Sequence, residues 1–194
     1  MPNSESGSYV ALNAVLKVKD GVTGKPIKEA ISFELDGTPC QPLTKGDGFF
    51  VFPNYVYKTL PHVLKIRAAG FFDMETPLLP ITEPLAEACQ ILMLYPSPAY
   101  NYPSSMALIA GYVLNDANQG IDDVIVAVTI EGKRGATRSD PAGHYMLALS
   151  LAVDSVKAEL RFTKEGCLAT TRSVSVTNAS VTSVDNVIMQ KSTS

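Results

Sequence analysis

The stretch TKGDGFFVF (residues 44–52) is written again in kind as SDPAGHYML (residues 139–147). In each, a hydroxyl residue leads into a short polar turn, a glycine follows, and aromatic or apolar residues then recur at every second position. Gly48 and Gly143 fall where a chain must turn through angles that a side chain forbids. The alternation after them is that of a strand with one buried face, so Phe50 and Tyr145 are expected to enter a core. Thr44 and Ser139 are expected to hydrogen-bond their own turns, which makes each stretch a hairpin. This reading makes the repeated stretch scaffold rather than site.

Gly48 and Gly143 stand 95 positions apart, and other landmarks keep that offset to within one residue. Upstream, VKDGVTGKPIKEA (18–30) lines up with VLNDANQGIDDV (113–124). Downstream, LKIRAAGF (64–71) lines up with ELRFTKEGC (159–167), and ILML (91–94) with VIMQ (187–190). Two long copies mean two tandem domains, not a solenoid of many short units. The reading is a first β-sandwich over 1–95 with a short N-terminal arm, a Pro/Tyr-rich linker over 96–105, and a second β-sandwich over 106–194. The linker's prolines favour extended, semi-rigid geometry.

Within each copy the period is two. Leu64 and Ile66 alternate with Lys65 and Arg67, and Val174 and Val176 alternate with Ser173 and Ser175. Gly, Pro, Asn and Asp punctuate these runs, as they do between strands. After Ala30 the apolar parity slips onto Ile31, Phe33 and Leu35, which suggests a bulge. Only EPLAEACQ (83–90) has a helical pattern. Each copy is expected to be an antiparallel sandwich of about seven strands, and the fold class all-β.

Composition excludes several functions. The net charge is -3 with 18% charged residues, so there is no basic field to hold nucleic acid. The longest apolar runs, such as MLALSLAV (146–153), are far short of the roughly 20 residues that span a bilayer, and no membrane insertion is expected. The first residues lack a signal-peptide pattern, so the chain reads as cytoplasmic, or extracellular if a leader was removed or a particle is released. Cys40, Cys89 and Cys167 are an odd set without a CxxC pair and are expected to be reduced, although a Cys40–Cys89 bridge stays open. His62 and His144 open no HxxE motif. Asn115, Asp116, Asp122 and Asp123 lack EF-hand spacing and read as solvated turns rather than calcium ligands. No GxSxG elbow or P-loop occurs. No catalytic, metal or cofactor residue is assigned.

TGKPIKEA (23–30) and SDPAGHY (139–145) resemble the landmarks of the carboxypeptidase-regulatory-like, or transthyretin-like, domain. The resemblance covers nearly the whole chain and implies two tandem immunoglobulin-like or transthyretin-like antiparallel β-sandwiches. It says little about function, since such modules accompany peptidases, receptors, adhesins and assembly proteins. The transthyretin-like hydrolases end in Tyr-Arg-Gly-Ser, whereas this chain ends IMQKSTS. The joint LYPSPAYNYPSSMALIAGYV (94–113) is similar to that of two-domain accessory proteins near the cap of phage-tail-like contractile injection systems. That resemblance implies sheath, tube or cap proteins as partners.

VIVAVTI (124–130) is apolar on both faces, which leaves two readings for Ile125 and Ala127: loops cover them, or another chain does. Tyr95, Tyr100 and Tyr102 are either partner contacts or wedges between the two domains. The expected function is therefore a non-enzymatic structural or adaptor protein of a large assembly, most specifically the cap or adaptor region of a contractile injection system. The alternative is a surface-exposed module that binds carbohydrate or peptide, against which the absence of tryptophan counts.

Overall fold

A computed structural model of the chain describes residues 12–53, 62–79, 89–130 and 132–192. It divides into two compact units, Met1–Tyr95 and Pro96–Ser194, so the stretch 96–105 falls in the second.

The alternating runs form strands because every second side chain finds a core. In the first unit, Ala14, Leu16 and Val18 are buried on β1 (Leu12–Asp20), with Lys17 and Lys19 between them on the other face. The remaining strands are β2 (Ile31–Leu35), β3 (Thr38–Cys40), β4 (Leu43–Lys45), β5 (Phe49–Pro53), β6 (His62–Ala68), β7 (Met74–Leu78) and β8 (Cys89–Leu94). They make two sheets, ordered β4-β5-β1-β8 and β3-β2-β6-β7. Phe33 of one sheet meets Phe50 and Phe52 of the other, with ring centroids 4.8 and 5.7 Å apart, so the two sheets face each other across an aromatic core.

The second unit repeats this plan with β9 (Ala107–Leu114), β10 (Ile125–Ile130), β11 (Lys133–Arg138), β12 (His144–Leu149), β13 (Ser155–Thr163), β14 (Thr170–Thr177), β15 (Val181–Ser183) and β16 (Val187–Ile188). One sheet runs β12-β9-β15, with β16 also on β9, and the other β11-β10-β13-β14. Strand for strand this is the order of the first unit, without a counterpart of β4. All pairings are antiparallel except that each unit's first strand runs parallel to its last. Tyr145 and Phe162 join the sheets here, with centroids 5.5 Å apart.

The two glycines hold the same post in both copies. Gly48 has φ 77° and its carbonyl accepts from the Val18 amide at 3.0 Å; Gly143 has φ 79° and accepts from Val113 at 2.8 Å. The hydroxyl reading is corrected. Thr44 is exposed and its hydroxyl makes no hydrogen bond among the described residues, and the buried Ser139 turns away from its own turn. Its Oγ accepts from the Val124 amide (2.9 Å) and donates to the Ile121 carbonyl (2.7 Å), pinning the loop before β10. Asp140 holds the turn instead, accepting from the amides of Ala142 and His144, both at 2.9 Å. Only the first copy is a hairpin, β4 with β5. In the second, the turn carries the chain from β11 in one sheet to β12 in the other.

Three further expectations meet the structure. β2 pairs with β6 in unbroken register, so the parity slip after Ala30 is absorbed in the preceding loop and no bulge forms in β2. Cys89 and Gln90 of the helical pattern are strand, and 83–88 lie outside the described residues. Cys89 is a free thiol, so it forms no bridge to Cys40 on the other sheet; burial raises its pKa, opposed by the charge of Lys17.

Candidate interaction surfaces

The two sheets of each unit differ in what they show to the outside. The face of β3-β2-β6-β7 is charged. Arg67 pairs with Glu34 and with Asp73 (2.9 Å), and Lys65 with Asp73 (3.4 Å) and Glu75 (3.3 Å). The equivalent face in the second unit carries Arg134, Arg138, Glu159 and Arg161, all exposed, with Arg138 bound to Asp123 at 2.9 Å. Ile125 and Ala127 lie in the midst of these charges. Ile125 is 45% exposed and Ala127 half-buried, and pairing sets Ile125 beside Arg138 and Ala127 beside Arg161. The apolar run at 124–130 therefore marks a core strand with two outward apolar residues, not a broad apolar face.

The other sheet sets large apolar side chains among lysines on its outer face. Register places Leu43, Val51, Val15 and Cys89 in one row across β4-β5-β1-β8, and Lys45, Phe49, Lys17 and Ile91 in the next. Leu43 is 52% and Ile91 59% exposed. The Lys17 ammonium sits 4.3 Å from the centroid of the Phe49 ring and 2.5 Å from an Asp47 carboxylate oxygen. At the equivalent place in the second unit, the Tyr112 and His144 rings stack at 4.9 Å. Around them Leu108, Ala110, Met146 and Ala148 are half-buried, and Val181 and Ile188 are exposed. Both copies thus leave large apolar side chains in water on this outer face, though not at matching positions, and exposed apolar surface of this kind invites docking.

Of the tyrosines, Tyr95 is exposed. Tyr100 and Tyr102 meet edge to face at 4.8 Å, and the Tyr102 hydroxyl donates to the Met146 carbonyl at 3.3 Å. That places Tyr102 on the open edge of β12, where it occupies a carbonyl that another strand would otherwise pair with.

The polar turns have local duties. Asn115 accepts from the amides of Ala117 and Gln119 at 2.9 Å, as Asp20 does from Val22 (2.7 Å) and Thr23 (3.3 Å) in the first copy. No cluster of three or more His, Cys, Asp or Glu that could hold a metal occurs among the described residues. No helix among them is long and apolar enough to cross a membrane. Asp36 accepts from His62 (2.5 Å) and from the Val63 amide (2.9 Å) at the Asp36-Gly37 turn. Both residues of that turn have positive φ, the two-residue hairpin that an Asp-Gly pair favours and that the periodicity reading passed over.

Hydrogen bonds from His62 hold Asp36, and from Lys17 hold Asp47, below the ordinary carboxylate value of 3.8. A depressed folded-state value stabilises above the unfolded pKa and is lost as pH falls through the folded one. Stability measured by denaturant unfolding should therefore fall as the pH drops below about 4. Asp36→Asn and Asp47→Asn should remove that part of the acid dependence. An unaltered acid limb in both variants would show that the pairs do not matter.

No family model matches the chain, and no curated protein matches it in sequence. Solved structures align with it at low identity. The Bacillus anthracis TIE protein is 13% identical, with a TM-score of 0.36, over 93% of this chain and 34% of that one. The shaft pilin spaA from Lactobacillus rhamnosus GG is 11% identical with the same score, over 95% of this chain and 99% of that one. A C-terminal fragment of the pilus adhesin SpaC from the same organism is 9% identical, TM-score 0.34, over 92% and 98%. The chain thus spans about a third of the first protein and nearly all of the other two. A likeness at this level carries no argument about function, which rests on the chain's own residues.

Proposed function

We propose that this chain is a non-enzymatic structural module of a multi-subunit protein assembly, docking through the outer face of β4-β5-β1-β8 and its counterpart on the second unit. The observation that carries the reading is that in both units the sheet opposite the ion-paired one leaves large apolar side chains in water on its outer face, Leu43 and Ile91 among lysines in the first and Val181 and Ile188 in the second. Fully burying a side chain such as Leu43 or Ile91 under a partner is worth about 1.5–3 kcal/mol each. Most specifically, we propose the cap or adaptor region of a phage-tail-like contractile injection system, assembled in the cytoplasm, with sheath, tube or cap proteins as neighbours. The joint at residues 94–113 supports that finer reading.

Affinity purification from the native cell, with mass spectrometry and negative-stain microscopy of the eluate, tests it. Sheath and tube proteins on rod-shaped particles are expected with the wild-type chain. Leu43→Glu with Ile91→Glu should lose them while the melting temperature holds, because both side chains point into water. Companions retained by that variant would move docking to another face. A wild-type chain that elutes alone would overturn the assembly reading in favour of a surface module for carbohydrate or peptide.

A further inference from the structure

The last strand differs between the two units. In the first, β8 keeps unbroken register with β1, from Val15 opposite Cys89 to Asp20 opposite Leu94. In the second, the corresponding strand is cut in two. β15 pairs as far as Ser183 opposite Ala110, and β16 resumes at Val187 opposite Val113. Between those pairs Val184, Asp185 and Asn186 face only Gly111 and Tyr112, so the last strand carries one extra residue. This is a bulge, and bulges re-aim side chains next to binding sites. It is fastened on both sides, by the Val184 amide on the Ala110 carbonyl (2.8 Å) and the Met189 amide on the Leu114 carbonyl (2.9 Å).

The bulge leaves Asp185 and Asn186 exposed beside the stacked rings of Tyr112 and His144, around a shallow depression of about 540 Å³ with Ser183 also on its wall. Among the described residues, no hydrogen bond or ion pair engages the side chains of Ser183, Asp185 or Asn186, or the ring nitrogens of His144. The Tyr145 hydroxyl, fully buried and without a hydrogen-bond partner, lies against Gly111 on the opposite, core face of β9 and takes no part in the depression.

We propose that this depression binds a neutral sugar. Each ring of the Tyr112–His144 stack has one face covered by the other, and the uncovered ring face is the aromatic surface for the C–H face of a pyranose. Asp185 accepts hydrogen bonds, and Asn186 and Ser183 both donate and accept, which suits adjacent hydroxyls that do the same. The chemistry disfavours the other classes. An anion would meet the Asp185 carboxylate. A metal would need more carboxylate, imidazole or thiolate ligands than stand here. An extended peptide would need a continuous ladder of free backbone groups, which the bulge interrupts. The first unit has no such site, because Lys17 on Phe49 takes the place of the aromatic pair and its last strand is unbroken. The depression lies on the same outer face that the assembly reading gives to docking, so a partner covering it would exclude the sugar; the titration uses the isolated chain, and its failure leaves the assembly reading untouched.

Glucose, galactose, mannose and N-acetylglucosamine titrated into the isotopically labelled full chain, followed by amide NMR shifts, test it. At least one sugar should give saturable, millimolar binding, with shifts centred on Tyr112, His144 and residues 183–186. Asp185→Ala should weaken binding roughly tenfold or more without moving the melting temperature. Tyr112→Ala should do the same; if it lowers stability by losing the stack, the Asp185→Ala result decides alone. Absence of shifts with all four sugars overturns the proposal. So do shifts elsewhere, binding that survives Asp185→Ala, or a response of these residues to triglycine and not to sugars.

Discussion

Gly143→Val is expected to destabilise the second unit by about 3–5 kcal/mol, through backbone strain and overpacking together. The φ of 79° at Gly143 lies in the left-handed region, where a β-branched residue is a genuine outlier. A Cβ there would also stand 2.2 Å from the Val113 carbonyl oxygen and 2.9 Å from the Gly120 Cα. Both neighbours are backbone, so neither can swing aside as a long side chain would. Val113 belongs to the central strand of its sheet, and displacing it would disturb the pairing of β9 with β12. Gly48→Val should act in the same direction but less, since the nearest atoms are the Val18 carbonyl oxygen at 2.9 Å and the Pro26 side chain at 3.1 Å. Denaturant unfolding read by amide exchange at Val18 and Val113 separates the two units. An unchanged second unit in Gly143→Val would show that the glycine does not hold this turn.

The same glycine shows how far the sequence could be read. Positive φ is a local demand, so Gly48 and Gly143 announced it and the shared offset exposed the repeat. The duty of the residues before them was not local. Ser139 bonds a loop some 15 residues upstream, and only the fold brings Val124 within reach. Likewise the turn at 139–144 looks like a hairpin from its own residues, because whether β12 returns to β11 or crosses to β9 depends on pairing elsewhere. Strand periodicity established that Ile125 and Ala127 face outward. It could not show that their neighbours are arginines, since cross-strand neighbours come from β11 and β13. Conversely Leu43, Val51, Val15 and Ile91 are scattered in sequence and become one face only through register. The sugar site was hidden for the same reason. A single extra residue at 184–186 is visible only once the pairs on either side are known.

Phe52→Ala should cost the first unit about 3–5 kcal/mol, the range for truncating a fully buried phenylalanine. Its ring is wholly buried and meets the edge of Phe33 at 5.7 Å across the sandwich, while Phe50 meets the same ring at 4.8 Å. Phe33 thus stands between two rings of β5 and ties the sheets together. Removing Phe52 takes away one side of that clamp and leaves a void that the β-sheet backbones cannot close without losing register. Because the two rings are in direct contact, Phe33→Ala and Phe52→Ala should not be additive. A double-mutant cycle should return a coupling of about 0.5–1.5 kcal/mol beyond the burial terms. The second unit, with its own core of Tyr145, Phe162 and Leu160, should keep its unfolding midpoint. Urea unfolding read separately on the two units measures all three quantities. A cost below about 1 kcal/mol for Phe52→Ala, against the size expected for such a ring, would place the first unit's core elsewhere.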